Sequence, residues 1–201
     1  MRLYSYVLRY DVGFAPNPFH GFCTLATCKQ EIRAKAQVGD WILGTGSKAK
    51  GLHGHLVYAM HVDEILTFDE YWTDSRFIRK IPNMRASFKH AFGDNIYHRG
   101  SEGEWIQADS RHSFADGAPN PGHISRDTRS DKVLIAQQFV YFGDQAPLIP
   151  EELRTSHGTD IVHDRSFHRC NFPDSLVDSA IGWLKTIGTG VLGRPCDWPP
   201  R

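Results

Sequence analysis

Along the chain the apolar positions keep two different periods. Residues 2–9, RLYSYVLR, alternate and are rich in Tyr, Val and Leu, which predicts a strand. Two prolines and two glycines punctuate residues 13–21, GFAPNPFHG, and mark a loop. A short strand is expected over 22–26, a short helix over 28–36, a turn at Gly39 and Asp40, and a buried strand over 41–44. Residues 55–68, HLVYAMHVDEILTF, form the longest β-like run. Leu56, Tyr58, Met60 and Val62 alternate there with Val57, Ala59 and His61, so both faces are apolar and the strand reads as central. Helical spacing predicts a helix over 68–79 and an amphipathic one over 173–187, with Leu176, Ile181, Trp183, Leu184 and Ile187 on one side. A further strand is expected over 131–142 and one helical turn over 149–154, and the tail GRPCDWPPR is irregular. Between them, about 80–131, the chain loses both periods and reads as a long polar insertion.

Composition narrows the class. The 201 residues are 40% hydrophobic and 23% charged, enough for a packed core and against disorder. Twenty-three basic residues balance 23 acidic ones, which argues against nonspecific coating of nucleic acid but leaves room for one local site. The four cysteines, Cys23, Cys28, Cys170 and Cys196, include no CxxC pair, and no run approaches ~18 apolar residues. The expectation is a soluble, cytoplasmic protein with reduced cysteines, a single domain over 1–201 and no membrane partner.

The stretch VGDWILGTGSKAKGLHGHLVYAM, 38–60, tests for a phosphate loop. Gly44, Gly46 and Ala49 match the dinucleotide pattern, and Asp63 lies 19 residues beyond Gly44. That pattern works by aiming a helix N-terminus at the pyrophosphate. Here Gly51 and Gly54 interrupt any helix and His55 opens another strand, so the context fails. A P-loop fails too, because Leu52 and His53 stand where Lys and Ser or Thr belong. What survives is strand, turn, strand, with polar Thr45, Ser47, Lys48 and Lys50 on its rim: a ligand-contacting rim or an ordinary exposed hairpin loop.

A pocket for a base needs flat apolar surfaces and a few polar groups. Phe19 and His20 in the first loop, with Trp41 and Tyr58 on the strands around the glycine turn, are the candidates, although Trp41 reads first as a core tryptophan. The insertion crowds Asp, Ser and His together, and Asp109, His112 and His123 would carry acid–base chemistry there. No G-x-S-x-G elbow is present. The 11 histidines match no zinc spacing and H-E-x-x-H is absent, so neither a metal nor another cofactor is expected. The basic residues are dispersed and read as a solvated surface.

The opening RLYSYVLRYDVGFAPNPFHGFCTLATCK, the segment QVGDWILGTGS, the strings YHR, DSRHSF and DTRSDKVLIAQQFVYFG, and the ending GRPCDW resemble the nucleotide modification associated domain family, second type. The resemblance covers nearly the whole chain. It implies a link to systems that modify DNA bases, without naming a reaction. The GDW-strand-GTGS segment is also similar to the PUA-like superfamily, which includes EVE, ASCH and YTH-type domains. That likeness implies an α+β fold with a PUA-like β-barrel core and flanking helices. Two functions follow as expectations. One is a module that recognises a modified base in DNA or a free nucleotide, with Phe19, His20, Trp41 and Tyr58 stacking, Thr45 and Ser47 hydrogen-bonding, and Lys48 and Lys50 holding the backbone, within DNA modification or antiphage defence. The other is a hydrolase or transferase acting on such a base through Asp109, His112 and His123. A subunit that only assembles with other proteins of such a system is the third class.

Overall fold

The computed structural model describes residues 1–156, 158–163, 165 and 167–199. In chain order the strands are β1 (Leu3–Leu8), β2 (Cys23–Leu25), β3 (Trp41–Gly46), β4 (Leu56–His61), β5 (Glu64–Thr67), β6 (Tyr97–Arg99), β7 (Trp105–Gln107), β8 (Lys132–Ala136), β9 (Phe139–Tyr141) and β10 (Gly190–Val191). The helices are α1 (Gln30–Lys35), α2 (Phe68–Thr73), α3 (Phe88–Ala91), α4 (Pro121–Asp127), α5 (Glu152–Thr155) and α6 (Asp174–Leu184). The chain is mixed α+β and forms two compact units. Unit 1 comprises Met1–Asp11, Ala36–Asp63 and Gln137–Arg201; unit 2 comprises Val12–Lys35 and Glu64–Ala136. No helix among the described residues is long and apolar enough to cross a membrane.

Unit 1 is built on a five-stranded sheet in the order β1-β3-β4-β9-β10. β1 and β3 run parallel, as do β9 and β10, and the pairs between them are antiparallel. Helix α6 places Leu176, Ala180, Ile181 and Leu184 in one core with Trp41, Leu43, Leu56 and Val140. The free edge of β1 is covered where Ser5 and Arg169 exchange backbone hydrogen bonds, 2.9 Å each way.

Unit 2 holds the antiparallel sheet β2-β8-β5 and the hairpin β6–β7. Its core gathers Phe14, Phe68, Tyr71, Phe77, Tyr97, Val133 and Ile135. Thr67 and Glu70 close a capping box at the start of α2. Residues 80–131 fall within unit 2 and carry α3, β6, β7 and α4. Their polar side chains are not all solvated, because Asn95, Gln107, His112 and Asp127 are buried.

Four sequence expectations change. The run over 55–68 is two strands in different sheets, β4 and β5, and the run over 131–142 likewise divides into β8 and β9. Both breaks lie where the chain passes between units. Asp63 accounts for the first: its Oδ2 accepts from the N–H groups of Gln137 and Gln138 at 2.6 and 2.9 Å, so a side chain takes bonds that a continued ladder would have made. The helix over 68–79 ends at Thr73, since Asp74 leaves helical geometry and caps a following tight turn through the Arg76 N–H. The three sheets are separate, and no closed barrel is found among the described residues.

The glycine stretch also has a packing explanation. β3 runs through Gly46, so two of the fingerprint glycines lie inside a strand. A Cβ at Gly44 would sit 2.1 Å from Leu8 Cδ1 and 2.2 Å from Tyr58 Cε1. A single short turn follows at Lys48–Lys50, closed by Gly51 at φ 69°. Gly44 is therefore needed for close approach of its neighbours. Gly44→Ala should cost about 1–3 kcal/mol by overpacking, read from a urea unfolding midpoint; an unchanged midpoint would refute the packing account.

Candidate active site in unit 2

β2 ends at Leu25 and α1 begins at Gln30. Between them Cys28 is held at φ 56° and Lys29 at φ 39°, in the left-handed region that ordinary side chains avoid. Cys28 therefore stands on a sharp strand-to-helix turn, half-buried, with its thiol turned to His112. The Sγ to Nε2 distance is 3.8 Å. On the other side of the ring, His112 Nδ1 lies 2.7 Å from Asp127 Oδ2. A proton on Nδ1, donated to Asp127, leaves the Nε2 lone pair facing the thiol. Cys28, His112 and Asp127 thus stand in the order nucleophile, base, orienting carboxylate.

The surrounding residues fix this line. Asp127 is fully buried and also accepts from the Tyr97 hydroxyl at 3.0 Å and from the Cys28 N–H at 3.2 Å. Tyr97 and Gln107 are paired across the β6–β7 hairpin. Gln107 donates to the Tyr97 hydroxyl and accepts from the Asn120 N–H, which ties the hairpin to the start of α4. Asn120 caps α4 by accepting from Gly122 and His123. Arg33, buried on α1, donates to the carbonyls of Cys28, Ser130, Lys132 and Asp127. Phe14 meets the His112 ring edge-on, centroids 4.7 Å apart.

Electrostatics reinforce the geometry. Burial alone would raise the Asp127 pKa, but the hydrogen bond from His112 and the charges of His112, Arg126 and Arg33 hold it below the usual carboxylate range. Burial likewise disfavours the His112 cation, yet its bonds to Asp127 and Cys28 outweigh that and raise its pKa. His123 packs on His112 with centroids 4.1 Å apart. Burial, then His112 and Arg126, lower its pKa, which keeps it neutral.

His112, His123 and Asp127 offer atoms within 4.8 Å of one another, close enough for a metal. The donor set does not fit one. His112 Nδ1 is taken up by Asp127, and His123 Nδ1 lies 2.6 Å from Arg126 Nη2, from which it accepts. A neutral His123 then carries its proton on Nε2 and has no lone pair left for a cation. Arg126 adds positive charge beside the group.

The residues singled out from the sequence scatter. His112 and His123 come together, whereas Asp109 is exposed beside Gly117, and the carboxylate that reaches His112 is Asp127. The sequence carries no signal for Cys28, since a left-handed turn leaves no pattern in it. Asp127 had a signal: Asn120-Pro121 is a helix start, and His123 and Asp127 are one turn apart on it. Of the binding candidates, Phe19 and His20 belong to unit 2, and Trp41, Thr45, Ser47, Lys48, Lys50 and Tyr58 to unit 1. Phe19, Trp41 and Tyr58 are 6%, 5% and 0% exposed, so none presents an open face for a base. The Thr45 hydroxyl donates to the Tyr6 carbonyl, Tyr58 pairs with the Tyr6 hydroxyl, Ser47 is buried, Lys48 is exposed and Lys50 is ion-paired with Asp197.

His20 sits at φ 63° with neither ring nitrogen meeting a hydrogen-bond partner. Burial, then Lys80, Lys89, Arg79 and His90, push its pKa down to about 4. The unfolded chain takes up this proton from about pH 6.5 downward, and the folded chain only near 4. Stability should therefore fall between those values on acidification. His20→Asn, which tolerates the left-handed turn, should flatten that fall in pH-dependent melting; an unaltered slope would refute the role.

The family model described as nucleotide modification associated domain 2 matches residues 1–200. No curated protein and no solved structure matches the chain.

Proposed function

The chain belongs to the nucleotide modification associated domain 2 family, and from that premise we propose that it is a cysteine-dependent hydrolase or transferase acting on a modified base or nucleotide. The observation that carries the reading is the Cys28–His112–Asp127 alignment. The family name supplies the substrate class, and the association with DNA modification or antiphage defence is part of the same proposal. In the step envisaged, His112 Nε2 takes the Cys28 proton as Sγ forms a bond to an electrophilic carbon of an acyl or amidine substituent. The bond to the departing nitrogen or oxygen breaks, and His112 returns the proton to that atom. Water, deprotonated by His112, then attacks the thioester or thioimidate and releases Cys28 as the thiol; an amine or alcohol in place of water gives transfer. Asp127 keeps the ring in one tautomer throughout.

A module that only binds a modified base would place stacking on Phe19, Trp41 and Tyr58, whose burial gives that reading less support. The PUA-like relationship also stays within the proposal, supported by the strand, turn, strand geometry of 41–61. The test is incubation with acylated and alkylated nucleosides, nucleotides and modified DNA, read by mass spectrometry. Consumption by the wild type and none by Cys28→Ala is expected. Equal consumption by both, or ligand bound and returned intact by both, would overturn the reading.

A further inference from the structure

Residues 75–93, SRFIRKIPNMRASFKHAFG, carry five Lys and Arg and no Asp or Glu, in a chain that has 23 charges of each sign. They lie in unit 2, between α2 and β6. We infer that their exposed side is a binding face for a single nucleic-acid strand, with Arg79, Arg85 and Lys89 on phosphates and Phe88 against a base.

The ion pairs decide which cations count. Arg76 is taken up by Glu64 and Asp74. Lys80 is buried, and its Nζ donates to Asn17, Phe22 and Thr24. Arg79, Arg85 and Lys89 are exposed, and no carboxylate meets them among the described residues. Exposed arginine and lysine side chains are cations at neutral pH, so the attraction needs no histidine charge.

The backbone gathers them. The Asn83 N–H bonds to the His90 carbonyl at 3.0 Å and closes a loop that carries Arg85, Phe88 and Lys89. The base of the loop is fixed where the Asn95 N–H meets the Lys80 carbonyl at 3.0 Å and Asn17 Nδ2 meets the Phe92 carbonyl at 2.9 Å. Lys89 Nζ lies 5.4 Å from the centre of the Phe19 ring, and Lys89 and Arg79 both bear on the charge of the adjacent His20.

Each of the three cations follows an exposed apolar residue: Ile78, Met84 and Phe88 are 64%, 45% and 48% exposed. Such a cluster marks a contact surface. The Phe88 ring is oriented, nearly parallel to Phe92 at 13° with centroids 6.0 Å apart. Cations interleaved with an exposed ring suit an unpaired strand, which offers phosphates and base faces together. A membrane surface calls for a longer apolar face than the four residues of α3 provide. The first loop links this face to the proposed chemistry: Phe14 meets His112, and Phe19, five residues on, lies under Lys89. Their Cα atoms are therefore at most about 18 Å apart.

Fluorescence anisotropy of the full chain with a labelled 12-mer of oligothymidylate, single-stranded and in a duplex, tests the face. Tighter binding of the single strand is expected, weakening about 20-fold between 50 and 200 mM salt for three phosphate contacts. Arg79→Gln/Arg85→Gln/Lys89→Gln should flatten that dependence and weaken binding at 50 mM salt by about tenfold or more. Arg85→Glu alone serves if the triple variant does not fold, because that side chain is exposed. Phe88→Ala should weaken binding by about fivefold or more and leave the salt dependence as it is. Cys28→Ala should bind as the wild type does, so a failure of the proposed chemistry leaves this face standing. No binding of the 12-mer, or affinity unchanged in the charge variants, overturns the inference. So does wild-type affinity in Phe88→Ala, or binding of the duplex as tight as that of the strand. Equal or tighter binding to polyglutamate would make the partner an acidic protein, and to phosphatidylserine vesicles a membrane; either result overturns it too.

Discussion

Asp127→Ala should destabilise the protein by about 3–5 kcal/mol, the range seen when one partner of a buried charged pair is removed. Asp127, at the end of α4, is fully buried and holds three other regions: the β2–α1 turn through the Cys28 N–H, β6 through the Tyr97 hydroxyl, and the segment after β7 through His112. The buried Arg33 hydrogen-bonds to carbonyl groups, that of Asp127 among them, and the Asp127 carboxylate is the largest charge that offsets its burial, so the substitution also removes that compensation. Asp127→Asn keeps the shape and the bond from Tyr97, and should cost less. The pH dependence carries a signature. The depressed Asp127 pKa gives stability that is present above its unfolded value, 3.8, and lost as pH falls through the folded one. The raised His112 pKa gives stability present below 6.5 and lost as pH rises through its folded value. Both limbs should shrink in Asp127→Asn. Urea unfolding across pH 3–9 measures this, and an Ala variant within about 1 kcal/mol of wild type would sink the account.

Iodoacetamide should label Cys28 well before Cys23 or Cys196. Burial holds the Cys23 thiol protonated, and burial with Asp11 pushes Cys196 up to about 12. Cys28 is half-buried, as Cys196 is, but has a base against its sulfur. His112→Asn should slow its labelling by about 10²-fold, the lower range for loss of a general base. Cys28→Ala should reduce any turnover by about 10³-fold or more. Peptide mass spectrometry over a time course reads the labelling. If Cys28 reacts no faster than Cys196, or as fast without His112, the triad has no chemical meaning and is a structural contact.

Much of the local order was legible. The alternation in RLYSYVLR became β1, the turn chemistry of GFAPNPFHG became a loop, and the amphipathic run ending near Ile187 became α6. These elements are set by neighbours in sequence, where period and turn residues act directly. Alternation does not divide the long β runs, because it reports a buried face and not which sheet buries it. Asp63 and the Gln137–Gln138 pair, 74 and 75 residues apart, decide where each strand stops.

The site shows the same division. Sequence by itself determined the residue types, the family, the mixed α+β class and the failure of the phosphate fingerprint, since Gly51, Gly54 and His55 leave no helix to follow it. It also marked His112 and His123 as chemistry-bearing. Only the tertiary structure chose Asp127 over Asp109, brought Cys28 to His112 across 84 residues, and turned Phe19 and Tyr58 into the core. Such choices depend on which distant segments share a buried environment, where an unpaired carboxylate or imidazole would be costly. That cost is paid or avoided by the fold as a whole, and no window along the chain contains it.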